Sequence, residues 1–285
     1  MAVLVLVSLV GFFAQLIDGA MGMAFGITST TFLLMLSYSP ASASMAVHLA
    51  ELATSAISGI SHIRYGNVNW PAFSKVALPG SIGAFLGAFA LSTVDLSSAR
   101  PWTATVLLSL GFVVIYRFTR REILGKKRRA RARWLVPLGF AGGFIDATGG
   151  GGWGPTVTTT LTASNALSPR VAIGTTNAAE FFIAISASAG FLLGLPQGAI
   201  PISVAVALLL GGVLAAPLAA WLVRKAPQRY LGLAVGNLII FLNTYQLSQT
   251  VITDPLIQFL IFGACCGVLY WSISLGYRLH KSLRK

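Results

Sequence analysis

The chain has 285 residues, of which 55% are hydrophobic and only 9% are charged, and its net charge is +13. Soluble domains carry about 25% charged residues, so this composition excludes a soluble globule and predicts a polytopic membrane protein. It also excludes a disordered chain and a coiled coil, and because the basic residues lie where apolar runs end, no nucleic-acid partner is expected.

Eleven apolar stretches follow one another along the chain. They cover residues 2–17, 23–38, 41–61, 71–94, 101–118, 134–145, 154–166, 171–195, 199–223, 230–247 and 255–277. A helix needs about 20 residues to cross a bilayer, and seven of the stretches reach or nearly reach that length. The other four, 2–17, 23–38, 134–145 and 154–166, form two pairs, each split by a glycine-rich break.

The first break covers residues 18–22 and the second covers 146–155, which includes four consecutive glycines. Each arm of a pair is too short to cross alone. Residues 2–38 joined into one helix would measure roughly 55 Å at 1.5 Å per residue, which is too long for one crossing. We therefore expect each pair to form a re-entrant hairpin or a deeply tilted, broken helix. Such backbone is stable at membrane depth only where it is buried in protein or lines a wet cavity.

The two halves of the chain match each other in sequence. Asp18 matches Asp146 at an offset of 128 residues, and Glu51 matches Glu180 at an offset of 129. We therefore predict an internal duplication. The predicted segments are a first transmembrane repeat at 1–118, a basic cytoplasmic loop at 119–133, a second transmembrane repeat at 134–247, and a C-terminal transmembrane helix with a basic tail at 248–285.

The distribution of basic residues predicts the orientation in the membrane. Nine of the 20 Lys and Arg residues lie between Arg117 and Arg133, which places this loop in the cytoplasm. If 134–166 returns to the cytoplasm as a hairpin, the later basic clusters also lie inside. Each half then holds a hairpin and three spans, and an odd number of spans makes the copies inverted. The predicted fold is an all-α polytopic membrane protein with an inverted repeat and one extra C-terminal helix, an architecture typical of secondary transporters.

Four of the seven acidic residues fall inside the apolar stretches or the breaks, at Asp18, Glu51, Asp146 and Glu180. A carboxylate at the bilayer centre costs about 2.5–3.5 kcal/mol on insertion scales, so four of them at matched positions need a reason. Asp18 and Asp146 precede the second arm of a hairpin, where an aspartate caps a helix. A role in a binding site at the hairpin tip is the alternative.

Glu51 and Glu180 lie in the middle of predicted spans, and each has a polar residue three positions earlier. These residues are His48 and Asn177, and the spacing places each pair on one helix face. Each glutamate is expected either to hydrogen-bond a neighbouring hairpin or to bind a proton or orient the substrate. Burial favours the protonated form of a carboxyl group, so these residues are candidates for coupling transport to protons.

The second arm of each hairpin begins near mid-membrane, and its N-terminus offers N–H groups and a positive dipole end to an anion. No Lys or Arg lies deep in a predicted span. We therefore expect N–H groups and hydroxyls to hold the anion, although close helix packing is an alternative role for these small residues. The candidate substrate-binding residues are Gly22, Met23, Thr28, His48, Gly150, Gly151, Gly152, Trp153, Thr156, Thr175 and Asn177.

Several stretches carry a resemblance to a known family. In the second half they are 139–155, which starts Gly-Phe-Ala-Gly-Gly-Phe and ends Gly-Pro, the Ser-Pro-Arg at 168–170 and the Gly-Thr-Thr-Asn at 174–177. Their counterparts in the first half are 11–26 and 44–62. At these residues the chain resembles the sulfite exporter TauE/SafE family of permeases, over nearly its whole length. The resemblance implies export or uptake of small sulfur-containing anions, such as sulfite and sulfonates like sulfoacetate.

The expected function is secondary transport of a small anion across the plasma membrane, with proton coupling as a further expectation. An anion channel built on re-entrant hairpins is the alternative. An enzyme is not expected, since the sequence shows neither a nucleophile with its base nor a metal cluster, and no cofactor is predicted. The expected partners are a small anionic substrate and the lipid bilayer, and assembly into a homo-oligomer is left open.

Overall fold

The computed structural model describes residues 2–21, 23–119, 132–164, 166–196, 199, 201–225, 228–251 and 254–283, and these form helices joined by short connections. The helices are α1 (Ala2–Met21), α2 (Phe25–Met35), α3 (Pro40–Arg64), α4 (Trp70–Thr93), α5 (Leu96–Thr119), α6 (Ala132–Gly149), α7 (Thr159–Ala163), α8 (Pro169–Gly194), α9 (Ile202–Lys225), α10 (Gln228–Val251) and α11 (Pro255–Leu283). A π-helical turn, Gly154–Thr158, leads into α7. Gly22 and residues 120–131 of the predicted basic loop lie outside the described residues.

The helices present apolar side chains to the outside of the molecule, as a bilayer requires. Leu78, Leu193 and Leu214 are 68%, 71% and 69% exposed. By length and composition, three helical segments among the described residues are long and apolar enough to cross a membrane: Trp70–Thr93, Ser98–Thr119 and Pro169–Gly194. Four further helices, α3, α9, α10 and α11, have 24 to 29 residues. The predicted all-helical membrane class is confirmed, and the number of spans stays a prediction.

Helices of one half pack mainly on helices of the other half. The first arm α1 lies along α9, and the first arm α6 lies along α4. In both contacts a glycine lies directly against the main chain of the neighbouring helix. If the glycine carried a side chain, its Cβ would lie 2.8 Å from the Cα of Leu208 at Gly11 and 2.8 Å from the Cα of Val76 at Gly139. Likewise α3 packs on α8 and α5 packs on α10. The two halves are therefore interleaved and do not form separate bodies.

Each of the two breaks begins later than the sequence suggested. The first arm α1 continues to Met21 and the second arm begins at Phe25, whereas α6 continues to Gly149 and the π-helical turn begins at Gly154. Asp18 and Asp146 therefore lie in the last turn of a first arm, and neither begins a break. In the second half the physical reason is visible, because the chain leaves the helix at Gly150 and Gly151, which have φ of +68° and +142°.

Candidate functional site

The two aspartates bridge the two breaks in the same way. Asp18 Oδ1 accepts hydrogen bonds from the N–H groups of Ala24 at 2.6 Å and Phe25 at 3.1 Å. Asp146 Oδ1 accepts from Gly152 at 2.6 Å and Trp153 at 2.8 Å. At both breaks the donors lie six and seven residues after the aspartate. Each carboxylate therefore accepts from N–H groups at the start of the helical arm that follows its break, so these N–H groups already have a partner.

The first turn of α2, directly after the first break, touches the second break through glycines. A Cβ on Gly151 would overlap the main chain of Gly26, and a Cβ on Gly26 would overlap the Cα of Gly151 and lie 3.0 Å from Glu51 Oε1. Thr30 Oγ1 donates a hydrogen bond of 2.6 Å to the carbonyl of Gly150. The crossing therefore joins the second arm of the first hairpin to the break of the second, next to a glutamate.

A cavity of about 320 Å³ lies beside this crossing. Its lining residues are Gln15, Asp18, Met23, Phe25, Gly26, Glu51, Thr54, Ser55, Ser58, His62, Asp146, Gly151, Gly154, Pro155, Ile173, Asn177 and Glu180. Among the described residues, the lining holds four carboxyl groups and one basic side chain, that of His62. Within the described part of the chain, the carboxyl groups of Glu51 and Glu180 make no hydrogen bond or ion pair. Both groups are thus available to a proton or to a ligand in the cavity.

His48 lies behind the cavity and holds Asp146 in place. Its Nε2 is 3.1 Å from Asp146 Oδ2, and its Nδ1 is 2.7 Å from the carbonyl oxygen of Ser44. A carbonyl oxygen only accepts, so Nδ1 is the donor to Ser44, and Nε2 faces the carboxyl group of Asp146. Ser44 Oγ also donates to the carbonyl of Ala147 at 2.6 Å. With His48 fully buried, these bonds tie α3 to the end of α6.

One wall of the cavity is polar, and the matching wall in the other half is apolar. From Glu51 towards the C-terminus of α3, the polar wall comprises Thr54, Ser55, Ser58 and His62. The residues 129 positions later in α8 are Ile183, Ala184, Ala187 and Phe191, each at most 1% exposed. The Phe191 ring packs 6.1 Å from the His48 ring. The cavity therefore extends towards the polar end of α3, and the opposite side is closed by apolar packing.

The polar end of the cavity lies at the same end of the molecule as two arginines. Arg64 ends α3, and Arg170 near the start of α8 donates from Nε to Asn67 Oδ1 at 2.6 Å. Asn67 in turn lies 3.2 Å from His62 Nδ1 through its Nδ2. A polar network thus connects the cavity lining to the basic end of two helices.

The structure brings together some of the candidate residues and separates others. Met23, Gly151 and Asn177 line the cavity with the four carboxylates, whereas Gly22 lies outside the described residues. The other described candidates, which do not line the cavity, are Thr28, His48, Gly150, Gly152, Trp153, Thr156 and Thr175.

For three of these candidates, burial and hydrogen-bond partners show what the side chain does in the structure. Trp153 is 1% exposed and donates from Nε1 to the carbonyl of Thr176 at 3.0 Å, so its ring packs into the core. Thr175 Oγ1 accepts from the N–H of Asn69 at 2.9 Å. Thr28 is buried, and among the described residues its Oγ1 has no hydrogen-bond partner. Two of the three therefore serve helix packing through their polar atoms.

Sequence reasoning missed the polar stripe at Thr54, Ser55, Ser58 and His62. These positions follow Glu51 at steps of three and four residues, which places them on one helical face. That periodicity was available in the sequence and could have identified this wall of the cavity.

No Lys or Arg lies deep in a predicted span, yet in the structure one arginine side chain reaches the first break. Arg117, near the end of α5, places Nη1 2.7 Å from Met23 Sδ and 3.4 Å from Thr159 Oγ1. The sequence correctly put this residue at the end of an apolar stretch. Its long side chain, however, extends back along the helix to the first break.

Comparison with known proteins gives two matches. The family model described as Sulfite exporter TauE/SafE matches residues 7–245. The chain is 44% identical over 275 residues to a protein of Bacillus subtilis (strain 168) named "Probable membrane transporter protein YtnM", an alignment that covers 95% of this chain and 91% of that protein. No solved structure matches the chain significantly.

Proposed function

Given that the chain belongs to the sulfite exporter TauE/SafE family of membrane transporters, we propose that it is a secondary transporter of a small anion in the plasma membrane. The proposed substrate class is a sulfur oxyanion or an organosulfonate, as the family description suggests. The single observation that carries a transport mechanism is the cavity beside the crossing of the two breaks. Among the described residues, the carboxyl groups of the two glutamates that line it have no hydrogen-bond or ion-pair partner.

The proposed architecture is an inverted repeat of residues 1–118 and 134–247, each with a broken hairpin. Two sets of matched contacts support it. Asp18 and Asp146 bridge their breaks with the same spacing, and each first arm packs on the corresponding helix of the other half. Inverted repeats with broken helices near the midplane are a recurrent architecture of secondary transporters, where the substrate site lies between the repeats.

Electrostatics favours a proton-coupled mechanism. Two like charges 4 Å apart repel each other by about 4 kcal/mol at an effective dielectric constant of 20, so a cavity with ionised carboxylates rejects an anion. Protonation of Glu51 and Glu180 lowers that repulsion, and the two remaining carboxylates, Asp18 and Asp146, already accept hydrogen bonds from backbone N–H groups. We therefore propose that protons on these two glutamates accompany the anion, and that their release on the other side of the membrane expels it.

The closed side of the cavity favours a carrier over a channel. His48 and Asp146 join two helices there, and Phe191 packs against His48. A continuous pore would have to pass through this packing. Because the open end lies near Arg64 and Arg170, the positive-inside rule makes this an inward-facing state of the carrier.

The test uses the purified protein in proteoliposomes with radiolabelled sulfite, thiosulfate and sulfoacetate. Saturable uptake that responds to an imposed pH gradient is expected. Glu51→Gln and Glu180→Gln should lose gradient-driven uptake and its pH dependence yet retain exchange of labelled for unlabelled anion. Asp95→Asn, at an exposed carboxyl outside the cavity, is the matched control and should behave as wild type.

Three results would contradict the proposal, each in a different part. Wild-type vesicles that take up none of the three anions would show that the substrate class is wrong. Glutamine variants that transport at the wild-type rate with unchanged pH dependence would show that neither glutamate carries the proton. Flux that rises linearly with concentration would favour the channel.

A further inference from the structure

The hydrogen bonds of Asn67 determine which nitrogen of the His62 ring carries the proton. Arg170 Nε donates to the amide of Asn67 at 2.6 Å, and because an arginine only donates, the amide atom that faces it is Oδ1. The other amide atom, Nδ2, therefore lies 3.2 Å from His62 Nδ1. An amide nitrogen also only donates, so Nδ1 of the histidine accepts this bond and carries no proton.

The ring of His62 is neutral at neutral pH, so its single proton is on Nε2. His62 lies past the apolar stretch 41–61, in the last turn of α3. Burial, and then the nearby charge of Arg170, lower the pKa of this ring below its ordinary value. His62 lines the cavity, and among the described residues its Nε2 has no hydrogen-bond partner. The cavity therefore has an N–H donor at its basic end.

The end of α3 holds Asn67 in the position that this requires. Gly66 has φ of +65° and ends the helix, and the N–H of Asn67 returns to the carbonyl of His62 at 2.9 Å. Asn67 is 8% exposed and packs on Gly174 of α8, where an added Cβ would lie 2.7 Å from the Cβ of Asn67. The hydrogen bond to His62 is thus part of the contact between two helices.

Ser58 lies one helical turn before His62 and is a second donor of the same kind. Asn177 Nδ2 donates to Ser58 Oγ at 3.0 Å, a bond that uses the oxygen of the hydroxyl and leaves its proton for another acceptor. Among the described residues this proton has no acceptor, and Ser58 lines the cavity. Residues four positions apart on a helix have Cβ atoms about 5–6 Å apart, so one ligand can contact both donors.

The two hydroxyls nearer to Glu51 have already used their protons. Thr54 Oγ1 and Ser55 Oγ both donate to the carbonyl of Glu51 in their own helix. They present only oxygen lone pairs to the cavity that they line. Hydrogen-bond donors on this wall therefore lie at its basic end, at Ser58 and His62, and acceptors lie at the other end.

We propose that Ser58 and His62 form the anion-binding subsite of this carrier, where the Ser58 hydroxyl and the His62 Nε2–H donate to oxygens of the same anionic group. This inference rests on the proposed function and deepens it. A hydrogen bond to a charged acceptor is about twice as strong as a neutral one, so an anion gains more from these donors than a neutral solute does. Two donors one turn apart suit a group with several terminal oxygens, such as a sulfonate or sulfite. The permanent charge of Arg170, held behind Asn67, favours the same ligand.

The matched positions in the other half of the chain carry no donors. The residues 129 positions after Ser58 and His62 are Ala187 and Phe191, which are apolar and fully buried. The anion therefore binds at the α3 end of the cavity, which is the open end in the proposed inward-facing state.

The experiment measures equilibrium binding of radiolabelled sulfoacetate and sulfite to the purified full-length protein. Ser58→Ala and His62→Leu each remove one donor and should weaken both affinities about tenfold, because a hydrogen bond to a charged group is lost. His62→Gln keeps an N–H donor near the place of Nε2 and should retain most of the affinity. Ser61→Ala removes a hydroxyl of α3 that donates to the carbonyl of Ile57 and does not line the cavity. It is the matched control and should bind as wild type.

Ser55→Ala tests whether binding depends on a free proton or on any hydroxyl of the cavity. The Ser55 hydroxyl gives its proton to the carbonyl of Glu51, so its removal should weaken binding less than Ser58→Ala does. Equal losses in these two variants would overturn this inference, because the donor would then have no special role.

The melting temperature of each variant separates binding from folding. Ser58→Ala should melt within about 2 °C of the Ser61→Ala control while its affinity falls. Wild-type affinity in folded Ser58→Ala and His62→Leu variants would overturn this inference and leave the proposed function intact. If His62→Leu does not fold, the comparison of Ser58→Ala with Ser55→Ala decides. Failure of the wild-type protein to bind either probe would overturn the proposed substrate class and this inference with it.

Discussion

The crossing of the two breaks can be tested with four glycine-to-alanine substitutions that differ in what the added Cβ meets. At Gly26 the Cβ overlaps the Cα of Gly151, in a helix with ordinary φ. At Gly151 it overlaps the main chain of Gly26, and φ is +142°. Gly66 has φ of +65° and nothing within 4 Å, and Gly263 lies in open space with no positive φ. The series therefore separates backbone strain from steric overlap.

The expected costs follow from these environments. Gly66→Ala adds only the strain of the left-handed region, about 1–2 kcal/mol. Gly26→Ala adds overpacking, which costs about 1–3 kcal/mol where neighbouring atoms can move a little. Here the neighbour is main chain, so the upper end is expected. Gly151→Ala combines both effects, and the sum is about 2–5 kcal/mol. Gly263→Ala removes a flexible helical glycine and should stabilise the protein by about 0.5–1 kcal/mol.

The assay is the apparent melting temperature of the purified protein in detergent, together with equilibrium binding of labelled sulfoacetate. A change of 1 kcal/mol corresponds to about 2–4 °C in a chain of this size. The expected order from highest to lowest is Gly263→Ala, wild type, Gly66→Ala, Gly26→Ala and Gly151→Ala. Gly26→Ala should also weaken binding, because its Cβ lies 3.0 Å from Glu51 Oε1. If Gly26→Ala and Gly151→Ala melt no lower than Gly66→Ala, the first turn of α2 does not touch the second break.

Two further predictions concern the aspartates and the topology. Asp146→Asn should lower the melting temperature more than Asp18→Asn, because it leaves a buried histidine without its charged partner, a loss of about 3–5 kcal/mol, whereas loss of a helix cap costs about 1 kcal/mol. An equal fall in melting temperature for both variants would show that the bond between His48 and Asp146 adds no stability beyond that of the helix cap. Single cysteines at Ala130 and Ser282, in a background without the two native cysteines, should both resist an impermeant thiol reagent in intact cells. Labelling of only one of them would disprove the predicted hairpin at 134–166.

The class of protein and its family could be predicted from the sequence, and both are confirmed. Low charge and long apolar runs are properties of the whole chain, so a prediction based on them does not depend on interpreting any single residue correctly. The two breaks could also be predicted, because each is a cluster of glycines inside an apolar segment. The exact ends of the helices could not be predicted, because Asp18 is compatible with both a helical last turn and a cap. Which of these two places the aspartate takes depends on where the following glycines end the helix.

The partners of the buried polar groups could not be predicted, because they come from distant parts of the chain. Local spacing paired His48 with Glu51, one turn apart on α3. In the structure His48 binds Asp146, 98 residues away, and Glu51 faces the cavity. Arg117 likewise reaches Met23 across 94 residues. Helical periodicity identifies which residues share a face, but the neighbour of that face is set by the packing of other helices.

The apolar wall at Ile183 and Phe191 has a consequence for how often the proposed carrier would adopt each of its two states. To open the cavity on that side, water must reach side chains that are fully buried here. Exposing two large apolar side chains costs about 3–6 kcal/mol, whereas inverting a ratio of 1:99 takes about 5.5 kcal/mol. A cysteine replacing Ala187 should therefore react far more slowly with a soluble thiol reagent than one replacing Ser58, its match in α3, and the reverse order would contradict this reasoning. We expect the empty protein to spend nearly all its time open towards the basic end, so that bound ligand must supply the free energy for the other state.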